Sequence, residues 1–201
     1  MNATATTAVE TIEPQLAPPG SGLPKPELLI ARMLFASQRM RGNREAFNAQ
    51  FQREREAIRA LIRNCDAESG SRRVLIRRVA GLEDSSRYWS VWMTLDHLRI
   101  MNVGIRRTIS ELARGVVPPG KVSTATVKPG AEATAAVVAN YEKSCDELMV
   151  TVASIPDLKT AARFAHPWFG PLDASGWHAM AGMHLGIHRV QIERILEGLV
   201  D

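Results

Sequence analysis

The sequence predicts an all-α protein with the architecture of a four-helix bundle. Apolar residues recur at three- and four-residue spacing through most of residues 27–199, as in amphipathic helices. Two segments that contain proline and glycine, 116–130 and 155–171, separate the long periodic stretches. Val74-Leu75-Ile76 is the single candidate strand, and it is too short for a strand to be predicted from it. Four long amphipathic helices with at least two long connections are typical of a bundle.

The first 26 residues are predicted to form a flexible arm. They are rich in Ala, Thr, Pro and Gly and hold few large apolar side chains that could anchor them. Their prolines prevent a regular helix. The segment has no basic start followed by an apolar stretch, so it is not a secretory signal. We therefore divide the chain into an arm, residues 1–26, and a helical bundle domain, residues 27–201.

The first two predicted helices meet at Gly42. One begins at Glu27 and ends near Arg41, and Asn43 can cap the next. The two form either separate helices or one long helix that is broken or kinked at Gly42. The second is amphipathic, with arginines on one side and large apolar residues on the other, namely Phe47, Phe51, Ile58 and Leu61.

Three further elements complete the predicted order. Residues 66–73 read as a loop and 74–79 as a short helical or 3₁₀ piece. Asp84 or Ser85 is the expected cap of a helix that ends near Gly115. Glu132 to Ser154 is the next helix, and Asp173 caps the last one, which extends to about residue 199.

Three histidines are candidate metal ligands. His184 and His188 lie four residues apart, so they share one face of the last helix. His97 lies in another predicted helix and would meet them if the two helices are neighbours. Three neutral imidazoles leave a coordination position open, as catalytic zinc sites do. On spacing alone, however, histidines that are simply satisfied within the core remain the default interpretation.

Composition limits the other classes of function. The formal charge is +4, but the arginines around residues 53–63 alternate with glutamates, which is typical of a solvated face. We therefore expect no nucleic-acid partner. Two cysteines make no disulfide scaffold and favour a cytoplasmic location. No apolar run approaches the ~20 residues of a membrane helix, so no membrane association is expected.

Two segments carry a family resemblance. The first includes Trp89-Ser90, Leu95-Asp96-His97-Leu98 and Leu112-Ala113-Arg114-Gly115. The second is His166-Pro167-Trp168-Phe169-Gly170-Pro171-Leu172, followed by Trp177, His184, His188 and Gln191. In their order and approximate spacing, over residues 27–199, these motifs resemble the DinB-like (YfiT-like) metalloenzyme superfamily.

The resemblance implies an up-down-down-up four-helix bundle in which His97, His184 and His188 bind a divalent metal. Zinc is the first expectation, with nickel or iron as alternatives. It also implies a small-molecule substrate and, as one option, a low-molecular-weight thiol, because relatives include thiol-dependent S-transferases, thiol-dependent isomerases and hydrolases. The competing hypothesis is a non-catalytic helical binding or stress-response protein without a functional metal. The family commonly dimerises, and we expect a homodimer through the arginine-rich second helix.

Residues one helical turn from the histidines are expected to wall a substrate site. These candidate substrate-binding residues are Met93, Met101, Trp177, Met180 and Gln191. Plain core packing is the alternative for the methionines, and a solvent-facing side chain is the alternative for Gln191. Asp96 is not expected to be a ligand, and His178 is expected to be solvated. His166 is expected to make a structural hydrogen bond, with a place in the site as the alternative.

Overall fold

The structure, a computed structural model, describes residues 13–200. This part of the chain contains six α-helices and two small antiparallel sheets of two strands each. The helices are α1 (Lys25–Arg41), α2 (Arg44–Ile62), α3 (Ala67–Ser71), α4 (Val91–Ala113), α5 (Val137–Ser154) and α6 (Ala174–Glu197). The strands are β1 (Val74–Leu75), β2 (Tyr88–Trp89), β3 (Phe164–His166) and β4 (Gly170–Leu172).

Helices α2, α4, α5 and α6 form a four-helix bundle, which confirms the predicted fold class. Helix α4 packs against both α5 and α6, and α6 packs against α2. Ion pairs from Arg55 and Arg59 of α2 to Glu142 of α5 close the ring, at 2.5 and 2.6 Å. The bundle thus places α4 and α6, which carry the three candidate ligands, side by side.

The predicted break between the first two helices is confirmed. Gly42 has an extended backbone, and its N–H donates to the carbonyl oxygen of Gln38. A Cβ at Gly42 would lie 2.3 Å from a ring carbon of Phe47 and 2.9 Å from the carbonyl oxygen of Gln38, so a larger residue would force both to shift. Asn43 then caps α2, because its side chain accepts a hydrogen bond from the backbone N–H of Ala46.

A second predicted cap is confirmed and a third is wrong. Asp173 caps α6 by accepting from the N–H of Gly176 at 2.8 Å. Helix α4, however, is capped by Ser90 and not by Asp84 or Ser85. Those two residues belong to a 3₁₀ turn, and strand β2 follows it, so α4 begins several residues later than predicted.

Short elements also replace predicted irregular segments. Val74–Leu75 pairs with Tyr88–Trp89 as a strand rather than forming a 3₁₀ piece, and β3 pairs with β4 inside the predicted loop 155–171. Helix α3 occupies the predicted loop 66–73. Strands of two or three residues are too short to show a period, so the sequence pattern could not reveal them. Helix α5 begins at Val137 instead of Glu132.

The described part of the predicted arm is anchored to the domain. The backbone N–H of Ala17 donates to Asp84, and those of Gly20 and Gly22 donate to the two carboxylate oxygens of Glu83. Leu23 is buried. A buried carboxylate such as Glu83 needs donors, and the backbone of this segment supplies them. Residues 1–12 lie outside the described residues, and the domain boundary at residue 27 stays a prediction.

The apolar residues of α2 do not form an outer surface. Phe47, Phe51 and Ile58 are 0–3% exposed and pack inside the bundle core. They are therefore unavailable to a second subunit. The homodimer itself stays a prediction. Both cysteines are free, with Cys65 half-buried and Cys145 buried. None of the described helices combines the length and apolar character that a membrane span requires.

The prediction that His178 is solvated is wrong. Its side chain is fully buried in α6, where its ring packs edge-on against Phe47 at 5.7 Å between centroids. Neither ring nitrogen has a hydrogen-bond partner among residues 13–200. Burial, with a smaller contribution from the charge of Arg44, lowers the pKa of His178 to about 4.

This burial predicts an acid-sensitive contribution to stability. Between pH 6.5 and 4 the unfolded chain protonates residue 178 and the folded chain does not, so the free energy of unfolding falls as the pH falls. His178→Leu removes this penalty. Chemical denaturation from pH 7 to pH 4 should show the variant gaining about 1–3 kcal/mol relative to the wild type. Parallel pH profiles for the two proteins would contradict the assignment.

Candidate metal centre

The three candidate histidines meet between α4 and α6. The Nε2 atom of His184 lies 3.2 Å from Nε2 of His97 and 3.2 Å from Nε2 of His188. One nitrogen from each ring falls within 4.8 Å of the others. Within the described chain, the helical spacing and the packing of the two helices therefore bring together the side chains that the sequence singled out. Their role as metal ligands stays a prediction.

Hydrogen bonds on the far edges of two rings fix their tautomers. His97 Nδ1 donates to the carbonyl oxygen of Val127, and His188 Nδ1 donates to Gln191 Oε1, both at 2.6 Å. The Gln191 amide is itself oriented, because its Nε2 donates to the carbonyl oxygen of Ser86 at 2.7 Å. The proton therefore lies on Nδ1 in both histidines, and each Nε2 directs its lone pair towards His184.

His184 is held differently from its two neighbours. Its Nδ1 is buried and has no hydrogen-bond partner in the described part of the chain. Metal-bound histidines usually donate their second ring N–H to a carboxylate, a carbonyl or water. The His184 ring is instead placed by its position on α6, one turn before His188, and by the rings of His97 and His188 at 5.1 and 4.5 Å.

The spacing of the nitrogen atoms fits a divalent metal. Two imidazole nitrogens bound tetrahedrally at about 2.0–2.1 Å from zinc lie about 3.3–3.4 Å apart. The two observed Nε2–Nε2 distances of 3.2 Å are close to this value. Three nitrogen ligands would leave one or more coordination positions open for water or a substrate. Imidazole ligands suit zinc, nickel and iron alike, so the donor set does not identify the metal.

Burial also keeps the three imidazoles neutral. It lowers the pKa of His97 to about 4 and those of His184 and His188 well below the ordinary value. The neighbouring histidines lower the pKa values of His184 and His188 further, because each ring would repel a second positive charge. At neutral pH all three rings therefore have lone pairs to offer a cation.

A cavity of about 100 Å³ adjoins the three histidines. Of the five predicted substrate-binding residues, Met101 and Met180 line it. Met93 and Trp177 are buried in the protein away from the cavity walls, and the Trp177 indole N–H donates to the carbonyl oxygen of Phe164. Gln191 is fully buried and contacts His188, so it orients a candidate ligand instead of lining the cavity.

Three residues of this region were missed by the sequence interpretation. The Trp89 ring stacks on His188 with an interplanar angle of 6° and lies 5.2 Å from the His97 ring. Glu83 and Lys128 line the cavity. Burial raises the pKa of Glu83, but the hydrogen bonds from Thr124 and from the glycine amides outweigh it, so the pKa is lowered overall. Glu83 is therefore an ionised anchor with both oxygens engaged.

Two other predictions concern residues next to the candidate ligands. Asp96 pairs with Arg99 at 2.9 Å and accepts the N–H of Gly130, and it takes no part in the histidine cluster. His166 makes the expected structural hydrogen bond, because its Nδ1 accepts the N–H of Trp168 at 3.1 Å. It also lines the cavity.

The contact between Gln191 and His188 gives a testable prediction. Gln191→Leu removes the acceptor for His188 Nδ1, so the ring loses its fixed tautomer and orientation. We expect metal affinity to fall about 10- to 100-fold, measured by competition with a chelating indicator. Gln191→Glu, which keeps an acceptor oxygen, is the matched control and should retain more of the affinity. An unchanged affinity in the leucine variant would show that Gln191 does not position His188.

Known proteins resemble this chain in sequence and in fold. The family model of the DinB superfamily matches residues 38–192. A solved structure, TT2238, described as a four-helix bundle protein, is similar with a TM-score of 0.56 and 22% sequence identity; the match covers 75% of this chain and 98% of that chain. This likeness shows the fold alone. A search of curated proteins found no match. Because the family model covers more than half of the sequence, the chain belongs to the DinB superfamily.

Proposed function

We propose that the protein is a metal-dependent enzyme that transfers a low-molecular-weight thiol to an electrophilic substrate. One observation carries the proposal: three neutral imidazole nitrogens converge beside a cavity, and two of them have tautomers fixed for binding a cation. Membership of the superfamily supports a metal at this place. In the net reaction the S–H bond breaks and a C–S bond forms. In a substitution the displaced group leaves with its bonding electrons and takes up the proton, whereas in an addition to a C=C bond the proton goes to the carbon beside the one attacked.

The chain supplies binding, orientation and exclusion of water. A divalent metal held by the three histidines would supply a Lewis acid, which lowers the pKa of a thiol bound to it. Val127 and Gln191 hold two of the imidazoles in place. The Trp89 ring covers His97 and His188, and apolar side chains line most of the cavity. When a bound substrate displaces water from an apolar cavity of this kind, the electrostatic interactions inside it become stronger.

Thiol transfer is favoured over hydrolysis by the carboxylates. Glu83 is the only acidic residue among the cavity-lining residues described, and its oxygens accept from Gly20, Gly22 and Thr124. A hydrolase commonly needs a free general base to activate water. A thiol bound as the thiolate needs no such group. A related metal-dependent hydrolase is the second candidate enzyme activity.

The alternative is a non-catalytic binding protein of the same fold. It would keep the bundle and the cavity but show neither bound metal nor turnover. Its supporting observation is the unpartnered His184 Nδ1, since metal-bound histidines usually have a partner at the second nitrogen. The two proposals differ in whether thiol is consumed.

The test is thiol consumption in the presence of a panel of electrophiles. Untagged protein is loaded with zinc, nickel or iron, mixed with one of several low-molecular-weight thiols, and followed by the loss of free thiol. His97→Ala and His184→Ala serve as matched negative controls. We expect consumption that needs both metal and intact histidines. Consumption of an ester or amide without any thiol would favour the hydrolase, and no reaction under any condition would favour the binding protein.

A further inference from the structure

The charged and polar groups in the cavity wall satisfy one another. Lys128 Nζ donates to Ser85 Oγ and Ser86 Oγ at 2.9 and 3.0 Å and lies 3.5 Å from a carboxylate oxygen of Glu83. The hydroxyl of Thr124 donates to the other oxygen of Glu83 at 2.8 Å. The one ammonium group is therefore balanced by the one carboxylate, and it has no donor left for a ligand.

The remaining walls of the cavity are apolar. They include Leu82, Met101, Phe169, Met180, Met183 and Ile187. Leu23, from the anchored N-terminal segment, also lines the cavity. The side chains of these walls offer an anionic ligand no free cationic partner, so it would lose its hydration without compensation from them, which costs several kcal/mol for a buried charge. The walls therefore favour an uncharged ligand.

His166 is the exception among the polar groups of the wall. Its Nδ1 accepts the N–H of Trp168, so the proton of the neutral ring must lie on Nε2. That Nε2–H has no hydrogen-bond partner among the residues described, and the atom is not fully buried. Because His166 lines the cavity, this donor is open to a ligand. The ring is held by stacking on Phe169 at 4.9 Å and by contact with Trp177 at 5.5 Å.

The turn that carries His166 is itself fixed. Strands β3 and β4 pair at His166 and Gly170, on either side of the turn. The Nε of Arg32 donates to the carbonyl oxygen of Trp168 at 2.6 Å, and the Phe169 ring packs on Phe35 at 4.5 Å. Helix α1 thus holds the turn against the bundle, and His166 presents one hydrogen-bond donor from a preorganised position.

From these contacts we propose that the electrophile is an uncharged, mainly apolar carbonyl compound whose oxygen accepts a hydrogen bond from His166 Nε2–H. The assignment as a substrate rests on the proposed thiol transfer. With a conjugated ketone, the thiol sulfur bonds to the β-carbon and the π electrons of the C=C bond move towards the carbonyl oxygen, which faces His166. The proton released from the thiol ends on the α-carbon. All atoms of both reactants are kept in the product, and no oxidant or reductant is needed.

The test compares three five-membered ring compounds of similar size on metal-free protein without thiol, so that no ligand oxygen can bind a metal. They are 2-cyclopentenone, cyclopentene and cyclopentene-1-carboxylate, and their binding is followed by tryptophan fluorescence, since Trp168 lines the cavity. We expect the ketone to bind more tightly than the alkene or the carboxylate. His166→Phe keeps an aromatic ring but removes the donor, so ketone affinity should fall about 3- to 10-fold while alkene affinity is unchanged.

Two controls keep the result clear. His178→Phe removes a buried histidine that does not line the cavity, and it should leave all three affinities unchanged. In the wild-type protein, the ¹⁵N resonance of His166 Nε2 should shift when the ketone is added and not when cyclopentene is added. This measurement does not depend on the folding of any variant. Tightest binding of the carboxylate, or a ketone preference that survives in His166→Phe, would overturn this inference even if thiol turnover is found. Ketone binding through His166 without any thiol turnover would contradict the proposed function alone.

Discussion

Replacing His184 with alanine is expected to remove the bound metal and leave the bundle folded. The side chain supplies the nitrogen that lies 3.2 Å from both other candidate ligands, so its loss leaves only two nitrogens. We expect the folded state not to depend on the metal, because it rests on a large apolar core shared by four packed helices. Metal content should fall from about one ion per chain to near zero, while the helical circular dichroism is retained and stability changes by less than about 2 kcal/mol.

The same measurements on His97→Ala should give the same result, because that ligand comes from a different helix. His178→Leu is the control, since it removes a buried histidine outside the cluster and should keep the full metal content. Retained stoichiometric metal in the His184 variant would mean that the ligands are assigned wrongly. Complete unfolding of that variant would mean that the site is structural, and the proposal of an enzyme would lose its main support.

Trp177→Ala is expected to destabilise the protein by about 3–5 kcal/mol. The side chain is 2% exposed, its indole N–H donates to the carbonyl oxygen of Phe164, and its ring stacks on the Phe164 ring. Removing it creates a large cavity where α6 meets strand β3. Urea denaturation measures the loss. Trp168→Ala removes a half-buried tryptophan of the turn between β3 and β4 and should cost far less. Equal losses for the two variants would show that Trp177 is not a core anchor.

The sequence allowed the long elements and the histidine cluster to be predicted, because both follow from helical spacing. A spacing of four puts His184 and His188 on one face whatever else the chain does. Asn43 and Asp173 cap their helices through contacts three residues away, which a sequence pattern contains. Ser90 also caps α4 through the residue three positions ahead. The start of α4 could not be predicted, however, because the preceding residues form a strand whose partner is distant in the sequence.

The walls of the cavity could not be predicted, because they depend on contacts between distant parts of the chain. Glu83 binds Gly20, Gly22 and Thr124, which are separated from it by 41 to 63 residues. Nothing in the sequence around Glu83 indicates these partners. The same limit explains why the described part of the arm was expected to be flexible.

Two single residues show the same limit. His178 was expected in solvent because it lies off the face of His184, but α6 is surrounded on several sides, and its outer face packs against Phe47 of α2. Gln191 could be read either as a partner of His188 or as a solvent-facing residue. Only the position of Ser86, brought close by the loop before β2, settles the orientation of its amide.

Anomalous X-ray diffraction at the zinc absorption edge, from crystals of untagged protein loaded with zinc, tests the metal centre most directly. We predict a single strong peak between the Nε2 atoms of His97, His184 and His188, about 2.0–2.2 Å from each. No peak at this position, or a peak elsewhere with the His97 ring turned away from α6, would contradict the assignment of the site.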